Sequence, residues 1–112
     1  MSEVSFEDFQ KIDLRVGTII NVVNFPEATK PAYKLTIDFG PLGIKRSSAQ
    51  ITKLYKKEDL ISKQIIANVN FHDKQIANFM SQCLILGAVE GDSVILLGTN
   101  VNVPNGSIVQ YF

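Results

Sequence analysis

The chain has 112 residues, eleven Lys+Arg against eleven Asp+Glu, and an apolar share of 46%. One domain spanning 1–112 is expected at that length, and the composition excludes a disordered chain. Neutral net charge excludes a protein that coats nucleic acid indiscriminately, and a single cysteine, Cys83, excludes an internal disulfide or a zinc ribbon. The opening MSEVSFEDFQ lacks a charged region followed by an apolar one, so no signal peptide is expected. Apolar runs are far too short for membrane insertion, which makes the cytoplasm the expected compartment. A domain this small buries a modest share of its surface, so an oligomer interface would help stabilise it.

Ser5 followed by Asp8 resembles a capping box with a shorter acid, and Glu7 and Asp8 suit a helix's positive end. Phe6, Phe9 and Ile12 lie about one turn apart and predict a short amphipathic helix. Residues 13–25, DLRVGTIINVVNF, are rich in β-branched side chains and predict a long strand, with Gly17 as the place for a bulge or bend. Pro26 and Pro31 bracket the polar connection EATK. Tyr33, Leu35, Ile37 and Phe39 alternate with Lys34, Thr36 and Asp38, which predicts a strand with those apolar residues inside. Gly40, Pro41 and Gly43 turn the chain into a third strand over Ile44 to Ala49.

Ile51, Leu54 and Tyr55 recur at helical spacing and predict a short helix. Gln64 to Asn70 alternates again, with Ile65, Ala67 and Val69 on one face. Cys83 to Ala88 and Val94 to Leu97 read as shorter apolar strands, separated by Glu90, Gly91 and Asp92. Pro104, Asn105 and Gly106 lead into a last apolar stretch, Ile108 to Phe112. The expected fold is therefore all-β with small α content: a five-stranded barrel of the oligonucleotide-binding (OB) kind. A short N-terminal helix, a short helix after strand three and a C-terminal extension complete it. A sandwich of similar strand count is the alternative.

Catalytic constellations are missing. GTI, GPLG and EGDS match no phosphate-cradling spacing. His72 is the only histidine and reads as a solvated neighbour of Asp73; Cys83 in an apolar strand reads as a buried, inert hydrophobe. No catalytic residue, metal site or cofactor is expected. The segment from Gly43 to Lys57, GIKRSSAQITKLYKK, carries five cations and no acid. Such clustering suits phosphate or carbonyl recognition. On an OB barrel, strands two and three form the ligand face, which would gather Lys34, Lys45 and Arg46. Phe71 and Phe79 are candidate stacking surfaces, Phe79 being expected exposed in the polar loop KQIANFMSQ; alternation puts Tyr33 in the core. Lys53, Lys56 and Lys57 read equally well as the wet face of a helix.

Three ordered segments resemble the tRNA-binding domain family of OB folds. Asp13-Leu14-Arg15-Val16-Gly17 resembles its D-[IL]-R-V-G start. Phe25-Pro26-Glu27-Ala28 with Lys34-Leu35 resembles its H-P-x-A…K-L connection, with Phe in place of His. Asn70 to Leu86 resembles its N-L-x-P-x-K-[MI]-x-G-x-x-S-x-x-M-x-L stretch. The resemblance runs from about Phe9 onward. GIKRSSAQITKLY and FPEATKPAYKL are similar to a branch of dimeric, export-related chaperones.

This resemblance implies a non-catalytic homodimer that binds unfolded or export-bound polypeptides, with structure-directed tRNA binding as the alternative. The implied RNA- or peptide-binding residues are Lys45, Arg46, Ser47, Asn70, Lys74, Asn78 and Ser81, to which the stacking candidate Phe79 is added. Arg15 aligns with the family arginine, an internal pair with Asp13 being the other reading. Asn78 replaces a family glycine, and asparagine tolerates a left-handed turn. Gln75 and Met80 stand where basic residues are common, which removes positive charge from a nucleic-acid face and weakens its binding. The apolar ends, Phe6 and Phe9 on one side and Ile108, Val109, Tyr111 and Phe112 on the other, are the expected dimer interface.

Overall fold

The computed structural model describes residues 2–112. Helix α1 (Phe6–Gln10) opens the chain, and its cap is the predicted one: the Ser5 hydroxyl accepts the Asp8 N–H at 3.1 Å. The strands are β1 (Leu14–Asn24), β2 (Tyr33–Asp38), β3 (Ile44–Ala49), β4 (Gln64–Asn68), β5 (Lys74–Ile76) and β6 (Phe79–Ser81). After them come β7 (Leu84–Ile85), β8 (Gly87–Glu90), β9 (Ser93–Leu96) and β10 (Ile108–Val109). Helix α2 (Lys57–Leu60) lies between β3 and β4.

The main sheet runs β3-β2-β1-β4-β7, and these five strands curl into the nearly closed OB-like barrel that the strand order predicts. Every pairing is antiparallel. Strand β1 is the axis of the fold: its first half pairs with β4 and its second half with β2, while β10 covers its start. Its bulge falls at Ile20, between the pairs Ile19–Ile37 and Asn21–Thr36, and not at Gly17. Gly17 serves packing instead. A Cβ there would lie 2.7 Å from both Ile37 Cγ2 and Phe39 Cε1, so only a bare backbone lets these side chains close over β1.

The alternation read along β2 holds residue for residue, with Tyr33, Leu35 and Ile37 buried. They meet Ile19, Phe39, Ile65 and Ala67 in the barrel interior, where Ile51 and Leu60 are also buried. The helix expected over Ile51 to Tyr55 is only a turn, closed by one long bond from Tyr55 N–H to the Ile51 carbonyl. The helix itself starts later because the Asp59 carboxylate accepts the Lys56 N–H at 3.0 Å and caps it there. The stretch from Cys83 to Ala88 is two elements: β7 pairs with β4, and β8 turns away to form a hairpin with β9.

The C-terminal segment is strapped across β1. Gly106 N–H donates to the Val16 carbonyl at 2.7 Å, and Val16 N–H donates to the Ser107 carbonyl at 2.9 Å. The Gln64 amide both donates to and accepts from the backbone of Val103. Among the described residues, no helix is long and apolar enough to cross a membrane.

Candidate binding face

Lys45 and Arg46 are adjacent in β3, so the two-residue pleat sends them to opposite faces. Lys45 is opposite buried Ile37 and shares its side with buried Ser47. Arg46 is opposite Thr36 and shares the outer face with Ser48 and Lys34. The expected Lys45–Arg46 patch is therefore split. Ser47 is removed from the surface as well: it is 1% exposed, and its hydroxyl donates to the Cys83 carbonyl at 3.0 Å.

The outer face carries a second, small core. Phe25, Ala32 and Phe79 are buried together, with Ala28 and Ile76 packed against them. This corrects the reading of Phe79 as exposed: it is 5% exposed, its ring 5.5 Å from that of Phe25. The reason is that KQIANFMSQ is no loop. It folds as the β5–β6 hairpin, and its turn places the positive φ on Ala77 (+52°) and not on Asn78. Asn78 sits exposed at the hairpin tip. Two cations lie on the buried rings. Arg46 Cζ is 4.9 Å from the Phe79 centroid. Lys34 Nζ is 4.9 Å from Phe25, 5.5 Å from Phe79 and 3.9 Å from a Glu27 carboxylate oxygen.

Beside this cluster lies an open cleft of about 380 Å³ between the loop after β1, the end of β3 and the hairpin. Its polar lining is Thr29, Lys30, Ser48, Gln50, Lys74 and Ser81; its apolar lining is Ala28, Ala32, Ala49, Ile76 and Leu84. No acid lines it. Lys30 and Lys74 are exposed, and among the described residues neither is in an ion pair. Of the expected binding residues, Lys74 and Ser81 reach this cleft. Ser81 does so from a buried position, its hydroxyl accepting the Ser48 N–H at 3.0 Å. Ser48 also lines it and lay in the hydroxyl-bearing basic segment GIKRSSAQITKLYKK, whereas Thr29, Lys30 and Gln50 were not singled out as partners. The only signal for Thr29 and Lys30 was the proline-bracketed connection.

Other expected residues are engaged elsewhere. The Asn70 side-chain carbonyl accepts the Asp13 N–H at 2.9 Å, and its amide donates to the Lys11 carbonyl, so Asn70 ties the end of β4 to the start of β1. Arg15 is held internally, with Nε 2.7 Å from Asp13 Oδ1 and Nη1 donating to the Gly106 carbonyl. Lys53 pairs with Asp92 at 2.6 Å, and this bond holds the Asp92 carboxyl below its ordinary pKa. Cys83 is buried, and burial pushes its thiol up to about 11 against the opposing pull of Lys45 and a Ser47 hydrogen bond. A thiol so protonated is a poor nucleophile. His72 is exposed.

The two apolar ends of the chain meet. The Phe6 and Tyr111 rings lie 5.2 Å apart and the Phe9 and Tyr111 rings 6.2 Å apart. Phe9, Ile12, Leu14, Ile108, Val109, Tyr111 and Phe112 line a groove of about 440 Å³. Phe6, Ile108, Tyr111 and Phe112 are more than half exposed.

A family model described as a putative tRNA binding domain matches residues 14–108. The chain is 38% identical over 110 residues to a methionine--tRNA ligase of Pyrococcus horikoshii, covering 98% of this chain and 15% of the ligase. The chain thus spans a small fraction of the curated relatives it matches. Among solved structures, chaperone CsaA from Bacillus anthracis str. Ames superposes with a TM-score of 0.94 at 51% identity, over 97% of this chain and all of that one. The CsaA chaperone protein from Picrophilus torridus superposes with a TM-score of 0.91 at 55% identity, over 96% of this chain and all of that one.

Proposed function

The chain belongs to the tRNA-binding domain family, and on that premise we propose that it is a single-domain, non-catalytic cytoplasmic chaperone. It acts as a homodimer and holds unfolded or export-bound polypeptide in the cleft between Lys30 and Lys74. The observation that carries this reading is the cleft's lining. Five apolar side chains share it with three hydroxyls, one amide and only two cations. The aromatic rings nearest the outer face are buried under cations and offer bases no platform. Small apolar and hydrogen-bonding groups suit an extended polypeptide of mixed composition. The names of the two CsaA structures support the same reading.

The apolar groove of Phe9, Ile12, Ile108, Tyr111 and Phe112 is the proposed dimer interface, since a patch of this character calls for a partner.

A second reading, tRNA binding, draws on family membership and on Lys30 and Lys74 at the cleft and Arg46 beside it, three cations without an acidic partner among the described residues. One experiment separates the two readings. A single preparation is titrated with tRNA and with a permanently unfolded polypeptide at low and moderate salt. The chaperone reading expects polypeptide binding that survives moderate salt; the RNA reading expects affinity that falls steeply with salt. Binding of tRNA alone would overturn the first, and no tRNA binding at low salt would overturn the second.

A further inference from the structure

Arg46 and Lys34 both lie against buried aromatic rings, yet only one of them retains a free charge. Lys34 is enclosed by Phe25, Phe79 and Glu27, with its side chain 25% exposed. Its positive charge is met by a carboxylate. Arg46 is an exposed residue, and no acid pairs with it among the described residues. A guanidinium that stacks on a ring uses its face. Its N–H edge stays in plane and free to donate two parallel hydrogen bonds.

We propose that Phe79 is a positioning residue. Its buried ring holds the Arg46 guanidinium flat on the outer face, with the N–H edge turned outward to fork onto a backbone phosphate of RNA. The proposal rests on the tRNA reading and names the contact that reading requires. Phe79 itself touches no ligand, because it is 5% exposed. Its own place is fixed from behind by Phe25 and by the hairpin pairing of Ile76 with Phe79. The ring thus stands on two supports before Arg46 rests on it. Ser48 is two residues along β3 on the same face, about 7 Å away at strand spacing, and lines the cleft. A strand that leaves Arg46 would therefore run directly to Ser48 and the exposed Lys74. Holding one long side chain in its bound geometry removes an ordering cost worth about three- to tenfold in affinity.

The test uses Phe79→Leu, which keeps bulk and removes the ring, and Phe79→Tyr, which keeps the ring. In ligand-free protein, NMR should show the Arg46 side-chain protons shifted upfield by the ring in wild type and Phe79→Tyr, and unshifted in Phe79→Leu. With unfractionated tRNA at low salt, Phe79→Leu should bind about three- to tenfold more weakly and Phe79→Tyr like wild type. Arg46→Ala should lose at least as much, and adding Phe79→Leu to it should cost nothing further. A thermal melt of each variant identifies loss of folding. Additive losses in the double variant, or an unshifted Arg46 in wild type, would overturn the proposal. No tRNA binding by wild type would remove phosphate as the partner of Arg46 and the RNA reading with it, while the upfield shift would remain. An unfolded polypeptide whose affinity tracked the same variants would reassign the fork to a client carboxylate.

Discussion

The hydroxyl of Ser81 accepts the main-chain N–H of Ser48 at 3.0 Å and lies 3.2 Å from the Ser48 hydroxyl. The β5–β6 hairpin shares no ladder with the barrel, so this double contact anchors one end of it to β3. Ser81 is 5% exposed, which leaves water little access. Ser81→Ala should strand the Ser48 amide and cost about 1–3 kcal/mol. Urea unfolding should show a lower midpoint at an unchanged slope. An unaltered midpoint would mean that the amide finds water once the hydroxyl is gone.

The elements that the amino-acid pattern revealed are those with one dry and one wet face. Along Tyr33 to Asp38 every inward residue is apolar and every outward one polar, so strand and orientation are both readable. The hairpin from Lys74 to Ser81 is different. Its turn has no glycine, and Ala77 takes the left-handed conformation that glycine or asparagine would have signalled. Its apolar residues, Ile76 and Phe79, bury against Phe25 and Ala32, a cluster that exists only after the loop following β1 has folded back. Ser47 and Ser81 look like surface hydroxyls by residue type, while their burial comes from partners more than thirty residues away in the chain. Lys45 and Arg46 form one patch in linear order, and the pleat separates them.

That separation makes a sharp comparison possible. Under the tRNA reading, Arg46→Ala should weaken binding and reduce the salt slope by about one counterion, because one phosphate contact is lost. Lys45→Ala should leave the slope unchanged, since Lys45 lies on the Ser47 side of the strand. Affinities measured over a series of salt concentrations decide this. Equal slopes in the two variants would mean that the charges act as a diffuse field and that neither residue touches phosphate.

Cys83 offers a pH test with a definite sign. Its thiol is raised from 9.0 to about 11 in the folded chain by burial. Below pH 9 the thiol is protonated in both states, and its contribution is fully present. Between pH 9 and 11 the unfolded chain gains from ionising while the folded chain does not, so stability falls, by roughly 2–3 kcal/mol across the window. Cys83→Val, which cannot ionise, should lose less over the same range. Denaturant midpoints from pH 8 to 11 measure the gap. A constant gap would mean that the folded thiol titrates normally.

The apolar groove between α1 and the C-terminus makes a prediction about assembly. Phe6→Glu with Tyr111→Glu places two charges where the rings now lie 5.2 Å apart and exposed. If the groove is the dimer interface, sedimentation should show wild type at twice the chain mass and the double variant at the chain mass. Both should keep the same circular dichroism, because the groove lies outside the barrel core. Wild type sedimenting as a monomer at all concentrations would dismiss the dimer.

Gly17→Ala sets two effects of opposite sign against each other. Removing a glycine reduces the freedom of the unfolded chain and favours folding by about 0.4–1 kcal/mol where the backbone permits. Here the new Cβ would sit 2.7 Å from Phe39 Cε1 and from Ile37 Cγ2. Phe39 and Ile37 are fully buried, so neither can swing into solvent to make room. Overpacking of this kind costs about 1–3 kcal/mol, so the strain should prevail and the variant should melt at a lower temperature. Because the clash is with particular side chains, it should be partly relieved by shortening one of them. Phe39→Leu alone leaves a void and destabilises the core. In the Gly17→Ala background that void accepts the methyl group, so the double variant should be more stable than the sum of the two losses predicts. Strict additivity would mean that Ile37, and not Phe39, is the side chain that resists the methyl group.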